Sequence, residues 1–338
     1  MADISCDIVV IGAGVLGLSV AAELTARGHD VRVIDPGRTN ASAVAAGMIA
    51  PAFESVLDGV NAERALLLRD AAALWPDFAR RVRIRLDETP AEWRGADAEE
   101  AAETLRALGF EVEPGAVRVA TDVRLNAAAA LYALKASLTS PVIKDHAEAV
   151  EPTADGWRVS TTEGAVLGNQ LVVATGAYAA LPGLPGGTTT LIDGVQPIAG
   201  QIGRVAAPLS DRVVRGREAY VAPGAGGALI GATMVFGSRD LTPDPEASER
   251  LATAAGALLG TDAPADIEWR AGVRGATPDG LPLAGPVGDG LHLALAPRRN
   301  GWLLGPLVGR VVADGIEGRP SGPHAAALDP LRPTLPAG

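Results

Sequence analysis

Cysteine occurs once in the 338 residues, at Cys6. A single thiol excludes an internal disulfide and any metal cluster built from several thiolates, and no metal site is expected. Lysine is nearly absent: only Lys135 and Lys144 occur, with arginine in its place. That exchange reads as genome composition rather than function. Surplus positive charge is missing too. The formal net charge is −11, which leaves nothing to coat a phosphate backbone. Nucleic acid is therefore excluded as a partner, and an anionic membrane surface is disfavoured. No apolar run approaches the ~20 residues of a membrane helix. Met1-Ala2-Asp3 is acidic and leads into only a short apolar run, unlike a secretory signal. The expectation is a soluble, cytoplasmic, globular protein. Its length and its 48% hydrophobic content suffice for a large core and about two domains.

What is present begins with "CDIVVIGAGVLGLSVAAELTARGHDVRVIDP", residues 6–36. Asp7–Ile11 reads as a strand, residues 18–27 as a helix stopped by Gly28, and residues 31–34 as a second strand ending at Asp35. Gly12, Gly14 and Gly17 fall in G-x-G-x-x-G spacing between the first strand and the helix. Gly12 turns the chain, Gly14 admits a pyrophosphate close to the backbone, and Gly17 lets the helix pack on the strand. The helix N-terminus then offers N–H groups and the positive end of its dipole to phosphates. Asp35 stands where an acidic residue takes ribose hydroxyls and repels a 2′-phosphate. The unit is a dinucleotide site; by itself it does not separate FAD from NAD.

Residues 39–50 are small and polar, too poor in large side chains for a core element but able to lie against a flat ligand. Residues 61–81 read as one helix that Pro76 kinks or breaks, 96–108 as an acidic helix and 123–138 as another. Residues 147–150, 157–161 and 170–174 read as strands. The last of these, within "LVVATGAY", is apolar enough for a parallel strand buried on both faces. Antiparallel strands are expected at 196–205, 217–222 and 228–232, a helix at 245–259, and strands at 268–274, 282–284 and 291–296. A final helix is expected at 307–316 with Pro306 in its first turn, followed by a partly ordered tail from Gly318. The two arginines of "ALAPRRNGWLL", Arg298 and Arg299, stand between two apolar runs.

Five segments then occur in one order: "DIVVIGAGVLGLSVAAEL…VRVID", "AAGMIAP" at 45–51, "LVVATGAY" at 171–178, "GVRGATPDGLPLAGP" at 272–286 and "RRNGWLLGP" at 298–306. Together they resemble the D-amino-acid oxidase family of FAD enzymes, and within it the glycine oxidase branch linked to thiamine biosynthesis. The resemblance implies an α/β fold with a discontinuous, Rossmann-like FAD-binding domain (residues 1–80, 123–190 and 265–338). An antiparallel-sheet substrate domain is inserted (residues 81–122 and 191–264). It implies FAD, a small amino-acid substrate such as glycine, sarcosine or a small D-amino acid, and hydride transfer from the α-carbon to flavin N5. The products are an imine and then a 2-oxo acid. The electron acceptor is oxygen in an oxidase. A secondary-amine or D-amino-acid dehydrogenase with another acceptor is the alternative, and a non-catalytic FAD protein a further one. A homo-oligomer remains open. Neither Cys6 nor any of His29, His146, His292 and His324 stands at a flavin tether position, so FAD is expected to be noncovalent.

The resemblance also implies roles. Gly12, Gly14, Val15, Gly17, Asp35 and Pro36 hold the ADP half. Ser42, Ala46, Gly47 and Met48 line the pyrophosphate and flavin, Ala147 meets adenine through its backbone, and Gly176 approaches the cofactor. Asn300, Gly301, Trp302 and Leu303 face the flavin pyrimidine, where aimed N–H donors stabilise charge on reduction. Arg274 takes the substrate carboxylate with its planar fork. Tyr220 and Arg299 complete the catalytic set, with Arg299 turned across the site beside the flavin and Arg298 toward solvent. Met48 and Met234 form the substrate wall. Read without the resemblance, Arg274 is a partner for Glu268 or Asp279, Tyr220 a strand aromatic, Arg299 a turn residue and Met234 a core filler. The chain departs from the branch at Ala296-Pro297, at Gly275 after the arginine, and at Glu218 two residues before the tyrosine.

Overall fold

The strand Ile4–Ile11 is buried on both faces from Ile8 onward. That is the environment its unbroken apolar run requires, and a parallel sheet supplies it. In a computed structural model, which describes residues 3–333, this strand lies between Val31–Ile34 and Gly164–Val173 and is parallel to both. The chain forms two compact units. Of the described residues, the first unit holds 3–43, 131–198 and 274–333, and the second 44–130 and 199–273.

The first unit is built on a seven-stranded sheet. Its main path runs Leu283–Gly288, Leu291–Leu295, Gly164–Val173, Ile4–Ile11, Val31–Ile34. Gly156–Thr161 and Ala147–Thr153 continue it as an antiparallel extension. The strand expected at 170–174 begins at Gly164, because its first half pairs with Gly156–Thr161 and only its second half with Leu291–Leu295. The helices Val15–Ala26 and Gly301–Ile316 pack on one another. The second of these starts six residues earlier than its proline suggests. Pro306 lies inside it, and burial of Trp302, Leu303, Leu304 and Val308 outweighs the missing N–H. The tail is tied down through Arg332. Arg332 makes a fork on Asp279 (2.8 and 3.0 Å) and donates to the Leu281 and Pro282 carbonyls. Burial works against the charge on Asp279, but the Arg332 hydrogen bond helps hold its carboxyl down at about 2.

The second unit carries an eight-stranded sheet with main order Val235–Phe236, Gln196–Val205, Gly227–Gly231, Tyr220–Gly224, Val214–Arg215, Ala91–Trp93, Arg118–Val119. Glu268–Ala276 also pairs with Gln196–Val205. Alternation along Tyr220–Gly224 explains its two buried faces. Tyr220 and Ala222 join the cluster of Phe53, Trp93 and Leu105, while Val221 joins Ile230, Leu251 and Ala255 under the helix Pro245–Leu259. Phe53 meets Trp93 edge-on at 5.4 Å.

Several expectations change here. Residues 61–81 form two helices, Ala62–Ala73 and Trp75–Val82, with Pro76 in the first turn of the second. Residues 123–138 split into the strand Val123–Leu125, paired with Met48–Ile49, and the helix Ala127–Ala136. The small-residue segment 39–50 does enter the core: Ala46, Ile49 and Ala50 are buried. By compactness, residues 44–80, 123–130 and 265–273 group with the second unit and residues 191–198 with the first.

Candidate active site

The cradle in the first unit is made mainly of backbone. A Cβ on Gly12 would lie 2.3 Å from the Ala174 carbonyl oxygen, and one on Gly17 2.1 Å from that of Gly12. Gly12 also has φ +111°, a conformation that glycine alone takes freely. Gly14 faces more open space, the nearest atom to a Cβ there being Ser42 Oγ at 3.5 Å. Asp35, at the end of Val31–Ile34, accepts from Ala13 N (2.8 Å) through one oxygen and from Gly37 N (2.7 Å) through the other. Each oxygen keeps a second lone pair for a ligand hydroxyl.

Ser42 joins two helix starts. Its hydroxyl accepts from Val15 N at 3.0 Å, and its carbonyl accepts from the Trp302 indole at 3.2 Å. Neither Val15–Ala26 nor Gly301–Ile316 has a side-chain N-cap. A Cβ on Gly301 would reach Val15 Cγ1 at 3.0 Å, so the two helix starts are neighbours. Gly14, Val15, Ser42, Gly301 and Trp302, drawn from three segments, are thus brought together. Gly176 has φ +75° with open space around it, and Thr175 Oγ1 beside it is buried without a hydrogen-bond partner. These features, a cradle that a Cβ would fill and two helix N-termini side by side, fit the phosphates of a dinucleotide. Ala147 opens the strand Ala147–Thr153 and packs with Ile11 and Ile34. Pro36 is exposed beyond Asp35.

Arg274 and Arg299 lie in this same unit. The Gly275 carbonyl accepts from Arg298 N at 2.8 Å, and Ala276 bridges Pro297, so the backbones carrying the two arginines run side by side. Ala296 (φ +59°) and Arg298 (φ +50°) both take left-handed backbone in this turn. Such strain persists only where surrounding structure holds it, and it concentrates at functional sites. Gly275 has its reason here as well, since a Cβ would meet Val195 Cγ1 at 2.8 Å. Arg298 is half-buried. The two carboxylates considered for Arg274 each carry another arginine, Glu268 with Arg270 and Asp279 with Arg332.

In the second unit stand Ala46, Gly47, Met48, Tyr220 and Met234. Tyr220 is buried, and a Cβ on Gly231 would lie 2.3 Å from its hydroxyl oxygen, so the ring lies across Gly231. Met48 and Met234 are half-buried. The sequence reading missed three charged residues on this side. Glu54 and Arg215 form an ion pair at 2.6 Å with both side chains only 6% exposed. Asp122 accepts from Ala52 N and Phe53 N at 2.8 and 2.9 Å, and burial pushes its carboxyl up to about 7. Their only signal in the sequence is an acid set in each of two otherwise weakly polar stretches.

Residues 7–315 match the family model described as FAD dependent oxidoreductase. The chain is 31% identical to a glycine oxidase of Geobacillus kaustophilus, over 92% of this chain and 93% of that protein. It is 29% identical to a glycine oxidase of Pseudomonas aeruginosa, over 98% of each. The crystal structure of the Geobacillus kaustophilus glycine oxidase superposes with a TM-score of 0.80 at 27% identity, covering 98% of this chain and 100% of that one. The fold and the dinucleotide cradle define a flavoprotein oxidoreductase. The chain belongs to the FAD dependent oxidoreductase family, with the D-amino-acid oxidase-like fold and FAD as its cofactor. Among the described residues no helix is long and apolar enough to cross a membrane, and no group of acids, histidines and cysteine is arranged to hold a metal.

Proposed function

We propose that the protein is an amino-acid oxidase. It oxidises a small amino acid (glycine, sarcosine or a small D-amino acid) to the imine, which water hydrolyses to the 2-oxo acid and ammonia, or methylamine from sarcosine, with oxygen as the final acceptor, reduced to hydrogen peroxide. The observation that carries this reading is the side-by-side backbone of Arg274 and Arg299 in the unit that holds the cradle. Similarity to two glycine oxidases over nearly their full lengths supports it.

Bound FAD supplies the acceptor for the hydride leaving the α-carbon. The N–H groups at the start of Val15–Ala26, with Gly12, Gly14 and Gly17, hold its pyrophosphate, and Asp35 takes a ribose hydroxyl. Ser42 fixes the start of Gly301–Ile316 through Trp302. With FAD bound, the first-turn N–H groups of that helix, at Gly301, Trp302 and Leu303, would hold the flavin and stabilise negative charge developing on it. Arg274 binds the substrate carboxylate through two parallel N–H bonds, which fix position and direction together. Arg299 adds positive charge near the same carboxylate. Tyr220 contributes a hydroxyl contact, while Met48 and Met234 give an apolar wall suited to a small side chain. The amine binds neutral, so no side-chain base is required.

Cys6 donates to the Ile8 and Leu167 carbonyls, and burial pushes its thiol up to about 11. It is a poor nucleophile for a flavin tether. Purified protein should be yellow, and acid precipitation should release all its FAD into the supernatant; flavin retained on the precipitated chain would refute noncovalent binding. Anaerobic glycine, sarcosine or D-alanine should bleach the flavin, and admitting oxygen should restore it. If only a carboxylate-free amine bleaches it, the substrate class is wrong. If oxygen does not restore the colour while an artificial acceptor does, the protein is a dehydrogenase.

A further inference from the structure

The Glu54–Arg215 pair is buried to a degree that surface ion pairs never reach, and taking two charges out of water is expensive. Its placement shows what it holds. Val214–Arg215 pairs with Tyr220–Gly224 so that Arg215 stands directly opposite Tyr220, and Tyr220 directly opposite Gly231. Directly paired residues share one face of a sheet. Arg215 therefore lies on the face that carries the Tyr220 ring. One guanidinium nitrogen, Nη2, bonds Glu54 Oε1, while the other, Nη1, reaches the Met48 sulfur at 3.9 Å. Glu54 projects from the helix Pro51–Asp58, whose first N–H groups are fixed by the buried Asp122 carboxyl group. The chain of contacts runs from Asp122 through the helix to Glu54, then through Arg215 to Met48 and the Tyr220 row.

We infer that Glu54 and Arg215 are positioning residues that hold Met48 and Tyr220 at a fixed depth and so set the size of substrate side chain the enzyme accepts. The inference rests on the reading above that Met48 and Tyr220 meet the substrate. Methionine has three rotatable bonds and fills whatever space it is given. Left to itself it would yield to a larger ligand. Pinned by a guanidinium that cannot move without breaking its bond to Glu54, it forms a stiff wall.

The test uses FAD-loaded enzyme and carboxylates of graded size, acetate, propanoate and butanoate, with each Kd read from the perturbation of flavin absorbance. The variant is Glu54→Leu with Arg215→Met, since apolar replacement of both members of a buried pair leaves stability unchanged or raised. The expected result is an unchanged flavin content and thermal midpoint, with the preference for acetate over butanoate reduced about tenfold, which is about 1.4 kcal/mol. The glycine to larger D-amino acid ratio of kcat/KM should fall in parallel. A preference within about twofold of the parent, well under that tenfold step, overturns the inference. If the double variant does not fold, Arg215→Lys decides in the same titration, because an ammonium keeps the charge but cannot reach both Glu54 and Met48. Acetate that leaves the parent flavin unperturbed, or binds Arg274→Ala equally well, overturns the substrate-site reading itself and this inference with it.

Discussion

The cradle of the first unit and the Tyr220 face of the second are built from different materials. Gly12, Gly14, Gly17 and the two helix starts act through backbone N–H groups and through the space that missing side chains leave. Tyr220, Arg215, Glu54 and Met48 act through side chains brought together by pairing across a sheet. A backbone site serves a ligand part that is always the same, a pyrophosphate. A side-chain site can be retuned residue by residue without disturbing the sheet. Change should therefore break the cradle by filling it, and break substrate recognition by emptying it.

The largest effect should come from emptying. Arg274→Ala removes the carboxylate fork, and losing one partner of a desolvated charge pair costs about 2–5 kcal/mol. At about 1.4 kcal/mol per tenfold, kcat/KM for glycine should fall roughly 30- to several-thousand-fold while FAD content stays at the parent level. Arg274→Lys should recover little. Flavin reduction rates against substrate concentration give the answer, and a loss of less than about threefold would remove Arg274 from the site.

Filling comes next. Gly17→Ala puts a methyl group where the Gly12 carbonyl lies, which by overpacking costs about 1–3 kcal/mol. The flavin-to-protein absorbance ratio should drop, and the residual holoenzyme should keep its parent KM. A Gly17→Ala enzyme with full FAD content but altered KM would reverse the division between the two regions.

A smaller effect separates the units by pH. His292, in the first unit, is buried against Gln170, and burial pushes it down to about 4 from an ordinary 6.5. Between those values the unfolded chain binds a proton that the folded one refuses, so this residue makes stability rise with pH. Asp122, in the second unit, is pushed up to about 7 from 3.8. The folded chain then holds the extra proton, and stability falls as pH rises through the same window. Relative to the parent, thermal midpoints from pH 4 to 7 should therefore slope more downward in His292→Gln and more upward in Asp122→Asn. The smallest change is expected for Arg270→Ala. Arg270 lies on the same strand as Arg274 but pairs with Glu268 at the surface, a contact worth about 0–1 kcal/mol. Its kcat/KM should be that of the parent.

The glycine part of the cradle was legible because it lies within about 30 residues, the span of one strand–helix–strand unit, whereas the start of Gly301–Ile316 joins it from far along the chain. Strand, glycines, helix and Asp35 must follow one another for the geometry to close. The helix at the C-terminal end was placed late because Gly301, Gly305 and Pro306 lower intrinsic propensity, whereas tertiary burial of its apolar residues decides. Residues 123–138 hid a strand before a helix because Val123–Leu125 is three residues long, and its partner, Met48–Ile49, is far away in the chain. Glu54 and Arg215 were invisible for the same reason: they stand 161 residues apart, and nothing local marks either as half of a buried pair. Arg332 lay in a tail whose alanines and prolines gave no sign of the clamp on Asp279.

The threading of the chain has a consequence for how the protein is made. The strand Gly164–Val173 takes its second parallel neighbour from Leu291–Leu295, and the helix Val15–Ala26 is covered by Gly301–Ile316. On a ribosome the first unit must wait, with the strand Ile4–Ile11 and the helix Val15–Ala26 already emerged, until Leu291–Ile316 has been polymerised. Such long-range pairing folds slowly and leaves apolar surface open in the meantime. Chains released before Leu291 should therefore be aggregation-prone and unable to retain flavin, however complete their glycine motif.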